Sequence, residues 1–171
     1  MAGLSIYSVA SNFAPYNNYN INDVFIYGGN YYYVTTKHKS GATFSNNYVN
    51  GIISYNGTNK PYFFWKPSYN SDISIQPVIK KTQFGDGYSQ SAPDGINNIL
   101  LPIELTFDKR TDDEARAILH FLYFRKGAES FVFTPPFPYN TNKLFKCERY
   151  RHSQIFANNH TISATFTETV T

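Results

Sequence analysis

Cys147 is the only cysteine in 171 residues, so no intramolecular disulfide and no cysteine metal cluster can hold this chain together. Charge is also sparse. Asp, Glu, Lys and Arg make up 16% of the residues, and the formal net charge is +3. A field that weak, from scattered residues, gives no basis for sequence-specific nucleic-acid binding. No hydrophobic run approaches the ~20 residues of a membrane-spanning helix, so no membrane partner is expected. Met1 to Phe13 lacks a basic start and a continuous apolar stretch, which argues against a secretory signal. The four histidines, His38, His120, His152 and His160, have no metal-ligand spacing. Gly85-Asp86-Gly87 lacks the Gly-x-Gly-x-x-Gly spacing of a dinucleotide loop. The expectation is no catalytic residue, no metal and no cofactor: the chain is not an enzyme.

Aromatics are abundant: 15 Tyr, 15 Phe and one Trp, 18% of the chain. With many Asn and Thr, they suit β-structure with polar-aromatic contact surfaces. The length allows a real core without cross-links. Composition shifts near residue 60. Before it stand one acid, Asp23, and three lysines, Lys37, Lys39 and Lys60. The reading is a small β-rich module over 1–60 and a main domain over 61–171. In the module, Asp23 to Tyr27 and Tyr31 to Thr36 are strands around the Gly28-Gly29-Asn30 turn. Residues 1–18 are read as an extended arm or a first strand.

The main domain carries sharper signals. Ile73, Ile75 and Ile79 mark an extended segment. Gly85-Asp86-Gly87 is a tight reversal, because glycine takes positive φ freely. Pro93-Asp94-Gly95 is a second turn. Leu101, Ile103, Leu105 and Phe107 alternate with polar residues, as in a strand with one buried face. Pro102 suggests an edge position. Thr111-Asp112-Asp113-Glu114 has the form of a capping box. Ala115, Ile118, Leu119 and Leu122 then make an apolar stripe, Arg125 and Lys126 suit the helix C-terminus, and Gly127 is a fitting stop. A helix over about 111–126 is expected. Ser130 to Thr134 and Leu144 to Tyr150 are strands, and His160 to Val170 alternates again. The fold class is α+β, mostly β, with antiparallel pairing. Cys147, inside a strand, is read as a buried inert thiol.

The block Phe84-Gly85-Asp86-Gly87-Tyr88-Ser89-Gln90-Ser91-Ala92-Pro93-Asp94-Gly95 resembles the minor tail protein M family of lambda-like bacteriophages. So do Phe64-Trp65-Lys66, Pro77-Val78-Ile79-Lys80-Lys81, Ser130-Phe131-Val132-Phe133-Thr134-Pro135-Pro136 and Phe145-Lys146-Cys147-Glu148, in that family's order. The resemblance covers about residues 62–171. It implies a tail-tube-like antiparallel β-sandwich with one helix, in a structural virion protein assembled in the host cytoplasm. It also implies a distal tail ring, usually hexameric, that joins the tail tube to the hub or baseplate proteins. The tape-measure protein and DNA would leave through its channel, the DNA without sequence-specific binding. Phe84, Gly85, Asp86, Gly87 and Tyr88, with Pro135, Pro136 and Phe137, become candidate assembly loops. Each is also readable as plain turn or strand-stop chemistry, which accounts for the residues without an interface.

The first part resembles something else. Tyr19 to Tyr33, with Asp23-Val24, Tyr27-Gly28 and Tyr31, is similar to small carbohydrate-binding modules of the chitin-binding type, with His38-Lys39-Ser40-Gly41 and Trp65 completing the pattern. That resemblance implies an alternative role, a tail adhesin for host-surface glycans, with Tyr27, Tyr31, Tyr33 and Trp65 as contacts. A bracing module is the other reading. Asn56-Gly57-Thr58 matches a glycosylation acceptor, without relevance in a phage or bacterial setting.

Overall fold

The computed structural model describes residues 12–68, 72–73, 77, 79–83, 87–93 and 100–170. In chain order the first part gives β1 (Asn18–Tyr19), β2 (Val24–Tyr27), β3 (Asn30–Val34), β4 (His38–Lys39), β5 (Val49–Asn50), β6 (Ile52–Tyr55) and β7 (Thr58–Phe63). The second gives β8 (Asp72–Ile73), β9 (Ile79–Gln83), β10 (Ser89–Pro93), β11 (Pro102–Arg110), α1 (Asp112–Arg125), β12 (Phe131–Phe133), β13 (Lys143–Phe156) and β14 (Asn159–Glu168). The α+β, mostly β expectation holds. Among the described residues, no helix is long and apolar enough to cross a membrane.

The main sheet runs β6-β7-β12-β13-β14-β11-β8. Its pairs are antiparallel except β7 with β12, which are parallel, a departure from the all-antiparallel expectation. Period-2 alternation places Ile103, Leu105 and Phe107 opposite Phe166, Ala164 and Ile162, so all six share one face. All are buried. On this face lies α1, with Ala115, Ile118, Leu119 and Leu122 buried as the stripe predicts, and Ala117 and Phe121 with them. Phe63 sits at the centre. Its ring lies 5.0–5.8 Å from those of Trp65, Phe107, Phe121, Phe131, Phe133 and Phe166.

Local chemistry sets the helix ends, with one correction. The Thr111 hydroxyl caps by accepting from the Glu114 amide. The Glu114 carboxylate does not reach back; it pairs with Arg110 at 2.6 Å instead. At the other end Lys126 is the cap, φ 50°, and Gly127 follows it in the left-handed region, φ 70°, as the expected stop. Pro102 is not on the outermost strand, because β8 pairs with β11 at Ile103 and Glu104. The strand expected over Leu144 to Tyr150 runs on to Phe156.

Two hairpins of the first part share one device. Gly28-Gly29 and Asn56-Gly57 are two-residue loops in which both residues have positive φ. That is the type I′ geometry matched to strand twist. The first hairpin, β2-β3, forms a small sheet with β5. The second, β6-β7, joins the main sheet through β12. Asn56-Gly57 is therefore a hairpin turn, and the hairpin it closes spans the composition shift at residue 60.

The small sheet has two covered faces. Tyr32 and Val34 point into a second core with Tyr19, Phe25 and Val49. Tyr31 points the other way, into the main core, and Tyr33 packs at a tilt on Phe64 with centroids 4.7 Å apart. Neighbouring strand residues face opposite sides, so one strand serves both cores. The chain leaves the small sheet at Gly51, where a Cβ would stand 2.0 Å from the Tyr31 carbonyl oxygen. Only glycine fits there.

Candidate assembly surfaces

The first surface is the ribbon of β9 and β10. It is antiparallel, with Gln83 opposite Ser89 and Ile79 opposite Pro93. This is the reversal the glycines predict. Gly87 has φ 79°, and Tyr88 beside it is 77% exposed. Phe84, Gly85 and Asp86 lie outside the described residues, as do Asp94, Gly95 and Ile75. Pro93 itself ends β10. Every residue of both strands is exposed, including Ile79, Lys80 and Lys81. An isolated two-stranded ribbon is marginal in water, and no buried side chain of its own holds this one.

The second surface is the loop after β12. Pro135 is buried and Pro136 half-buried, while Phe137 is 82% exposed. The Tyr139 amide donates to the Pro136 carbonyl at 3.1 Å. Thr134 Oγ1 donates to Asn142 Oδ1 at 2.6 Å, across the loop base. The prolines thus anchor the loop and present Phe137 outward.

A third surface has no sequence-based forerunner. β13 and β14 run far past the core and turn at Ala157-Asn158, with Asn158 left-handed. Ile155 and Phe156 at this tip are 60% and 71% exposed. A brace ties the tip to the start of α1. Asp112 Oδ1 accepts from His160 Nε2 at 2.6 Å, His160 Nδ1 lies 2.8 Å from His152 Nε2, and the Asp112 amide donates to Asn158 Oδ1 at 2.9 Å. Burial and the neighbouring His160 lower the His152 pKa. A neutral pair satisfies the geometry: His160 donates from Nε2 to Asp112 and accepts at Nδ1 from His152. Asn158, a residue type that tolerates the left-handed region, is the readable signal for this turn. That signal is hidden in the sequence because the alternation breaks at the bulge between Cys147 and Arg149. The fourteen residues of β13 span roughly 45 Å at ~3.3 Å each, so Phe137 and Phe156 stand at opposite ends of the sheet.

Between the small sheet and α1 lies a cleft of about 990 Å3, lined by Asp23, Tyr33, Tyr62, Phe64, Lys66 and Asp113, among others. Glu114 also lines it but is paired with Arg110, whose other arm donates to the Lys66 carbonyl at 2.5 Å. Asp23 accepts from the Asn20 amide at 2.7 Å. Asp113 has no ion-pair partner among the described residues. Behind the cleft, the Tyr31 hydroxyl bonds His120 Nδ1. Burial raises the Tyr31 pKa and lowers that of His120, so the phenol donates and the neutral imidazole accepts.

The four aromatics of the glycan reading do not form one exposed platform, although Tyr31 and Trp65 meet edge to face at 5.9 Å and Tyr33 and Trp65 both line the cleft. Tyr31 and Trp65 are 3% and 5% exposed, within the main core, so neither has a free ring face for a sugar. Tyr33 is half-buried on Phe64. Tyr27 is exposed at the far side, stacked on Phe44 at 4.2 Å. Cys147 is buried, and burial pushes its thiol up to about 12; it is inert at neutral pH. Among the described residues no group of His, Cys, Asp and Glu could hold a metal ion.

Comparison with known proteins points to one family. The family model described as phage minor tail protein matches residues 61–170. Two curated relatives are both named tail tip protein M. That of Escherichia phage lambda is 37% identical over 82 residues, 48% of this chain and 74% of the relative. That of Escherichia phage N15 is 32% identical over 108 residues, 58% of this chain and 89% of the relative.

Proposed function

Because the chain belongs to the phage minor tail protein family, a family of virion tail components, we propose that it is a structural ring protein of the tail tip. In this reading copies of the chain close into a ring, six being the expected number. One face docks on the tail tube, the other on hub or baseplate proteins, and the tape-measure protein and DNA pass through the centre. The role is assembly rather than catalysis. The observation that carries the ring is the ribbon Ile79–Pro93. Every residue of both its strands is exposed, and a neighbouring copy would supply the contact it lacks. The exposed aromatics at opposite ends of β13, Phe137 and Phe156, suit a ring that must dock at two ends. Residues 1–60 then brace the main domain, in keeping with the seating of Tyr31 and Tyr33 against it. The glycan alternative has no comparable support, since two of its four residues lie in the core.

Electron microscopy of the source virion tests this. The expected result is density for this chain as a closed ring at the tip end of the tube. Density confined to peripheral fibres overturns it.

A further inference from the structure

Two features of this chain remain without an intramolecular use, and they match each other. The ribbon of β9 and β10 carries Lys80, Lys81 and Tyr88, all exposed, and neither lysine has an ion-pair partner among the described residues. The cleft beside α1 is large, walled by Tyr33, Tyr62 and Phe64, and edged by Asp23 and Asp113. Its one lining lysine is Lys66, and Glu114 is already paired with Arg110. The cleft therefore carries carboxylate charge that is left over, and the ribbon carries ammonium charge that is left over.

We propose that the ribbon of one copy seats in the aromatic, acidic cleft of the next, with Lys80 and Lys81 facing Asp23 and Asp113. The inference rests on the ring reading and names its contact. A protruding element and a recess at different places on one protomer make a heterologous contact. Such contacts propagate head to tail and close into a ring when the rotation allows. Charge complementarity sets the register, while the aromatic walls supply buried area for Tyr88 and Ile79. The cleft is built jointly by the small sheet and α1, so the first part of the chain becomes a component of the interface. A strand-poor ribbon that gains a second layer is also no longer marginal.

The test uses the full-length protein, with mass read by native mass spectrometry at micromolar concentration and folding checked by thermal unfolding. The wild-type chain is expected as a ring. Lys80→Glu with Lys81→Glu is expected to weaken association at least tenfold while the chain still unfolds in one cooperative transition, its melting temperature falling only by what the lost contact contributed. Asp113→Lys is expected to weaken it similarly, and the three changes together are expected to recover part of the lost association, since Asp23 still faces one of the new glutamates. A monomeric wild type overturns the ring reading and this contact with it. Rings that persist in the ribbon variant, or no recovery in a combined variant that still unfolds cooperatively, overturn this contact alone. A second measurement covers the case where Asp113→Lys disturbs the helix start. Cys147 is buried, so single cysteines can be introduced cleanly. Lys81→Cys and Lys80→Cys chains, each mixed with Asp113→Cys chains under oxidation, are expected to give a disulfide-linked dimer in at least one mixture that no chain gives alone. No such dimer in either mixture overturns the contact.

Discussion

The two cores of this protein are built from different residues. The main core is filled by phenylalanines and aliphatics: Phe63, Phe107, Phe121, Phe131, Phe145 and Phe166 with Ile103, Leu105, Ile118 and Leu122. The small core holds Tyr19, Phe25, Tyr32, Val34 and Val49. A phenylalanine core closes by area alone. A tyrosine core must also place its hydroxyls, and does so: Tyr19 Oη accepts from the Ala14 amide at 2.8 Å. Few apolar side chains on short strands make little stabilising area. The small sheet therefore depends on the main domain, and Tyr31 is where that dependence is visible.

Removing the centre of the main core should have the largest effect. Phe63→Ala is expected to cost about 3–5 kcal/mol and to lower the melting temperature by roughly 6–20 °C. Phe25→Ala removes a comparable ring from the small core. If the two cores are unequal, amide exchange after Phe25→Ala should accelerate over residues 18–50 while protection over 102–168 persists. Uniform loss of protection would break the comparison.

The crossing point comes next. At Gly51 an added methyl group meets backbone at 2.0 Å, so Gly51→Ala must push the small sheet away from its seat. A loss of about 1–3 kcal/mol is expected by the usual cost of overpacking. Circular dichroism melting would read it, and an unchanged melting temperature would show that the seat is loose. Tyr31→Phe keeps the ring and removes only the hydroxyl bonded to His120. It leaves the neutral imidazole without its donor, for a loss of about 1 kcal/mol.

Legibility in the sequence followed the same division. Strands with unbroken alternation, such as Leu101–Phe107 and the run after His160, could be read directly, as could the capped helix and the Gly28-Gly29 hairpin. The reversal between β9 and β10 was readable because Gly87 takes the positive φ that glycine allows. What escaped needed a partner distant in sequence. Asp112 reads as a helix-start acid, and only the fold brings His160 and His152 to it. Trp65 reads equally as platform or core, and the packing of Phe63 against it decides. Asn56-Gly57 was a hairpin signal in plain view, obscured by the glycosylation motif that contains it. The length of β13 was hidden by a bulge, which breaks the period without ending the strand.

The smallest expected effect concerns the brace at the far end of β13. The His152 pKa is lowered in the folded chain by burial and by His160, and that of His120 by burial. An imidazole with a lowered folded pKa binds its proton more readily when the chain is unfolded. Stability is then full above the unfolded value of about 6.5 and declines as pH falls through the lower folded values. The melting temperature should therefore fall modestly from pH 7.5 to pH 5.5. His152→Asn should flatten part of that slope, since the replacement cannot titrate. Amide exchange should place the acid-sensitive opening at residues 152–160, beside the exposed Ile155 and Phe156, and leave the phenylalanine core unchanged. A pH slope identical in His152→Asn and the parent would assign the effect to His120 and to the seat of the small sheet. That outcome would return the comparison to Tyr31, the residue shared by both cores.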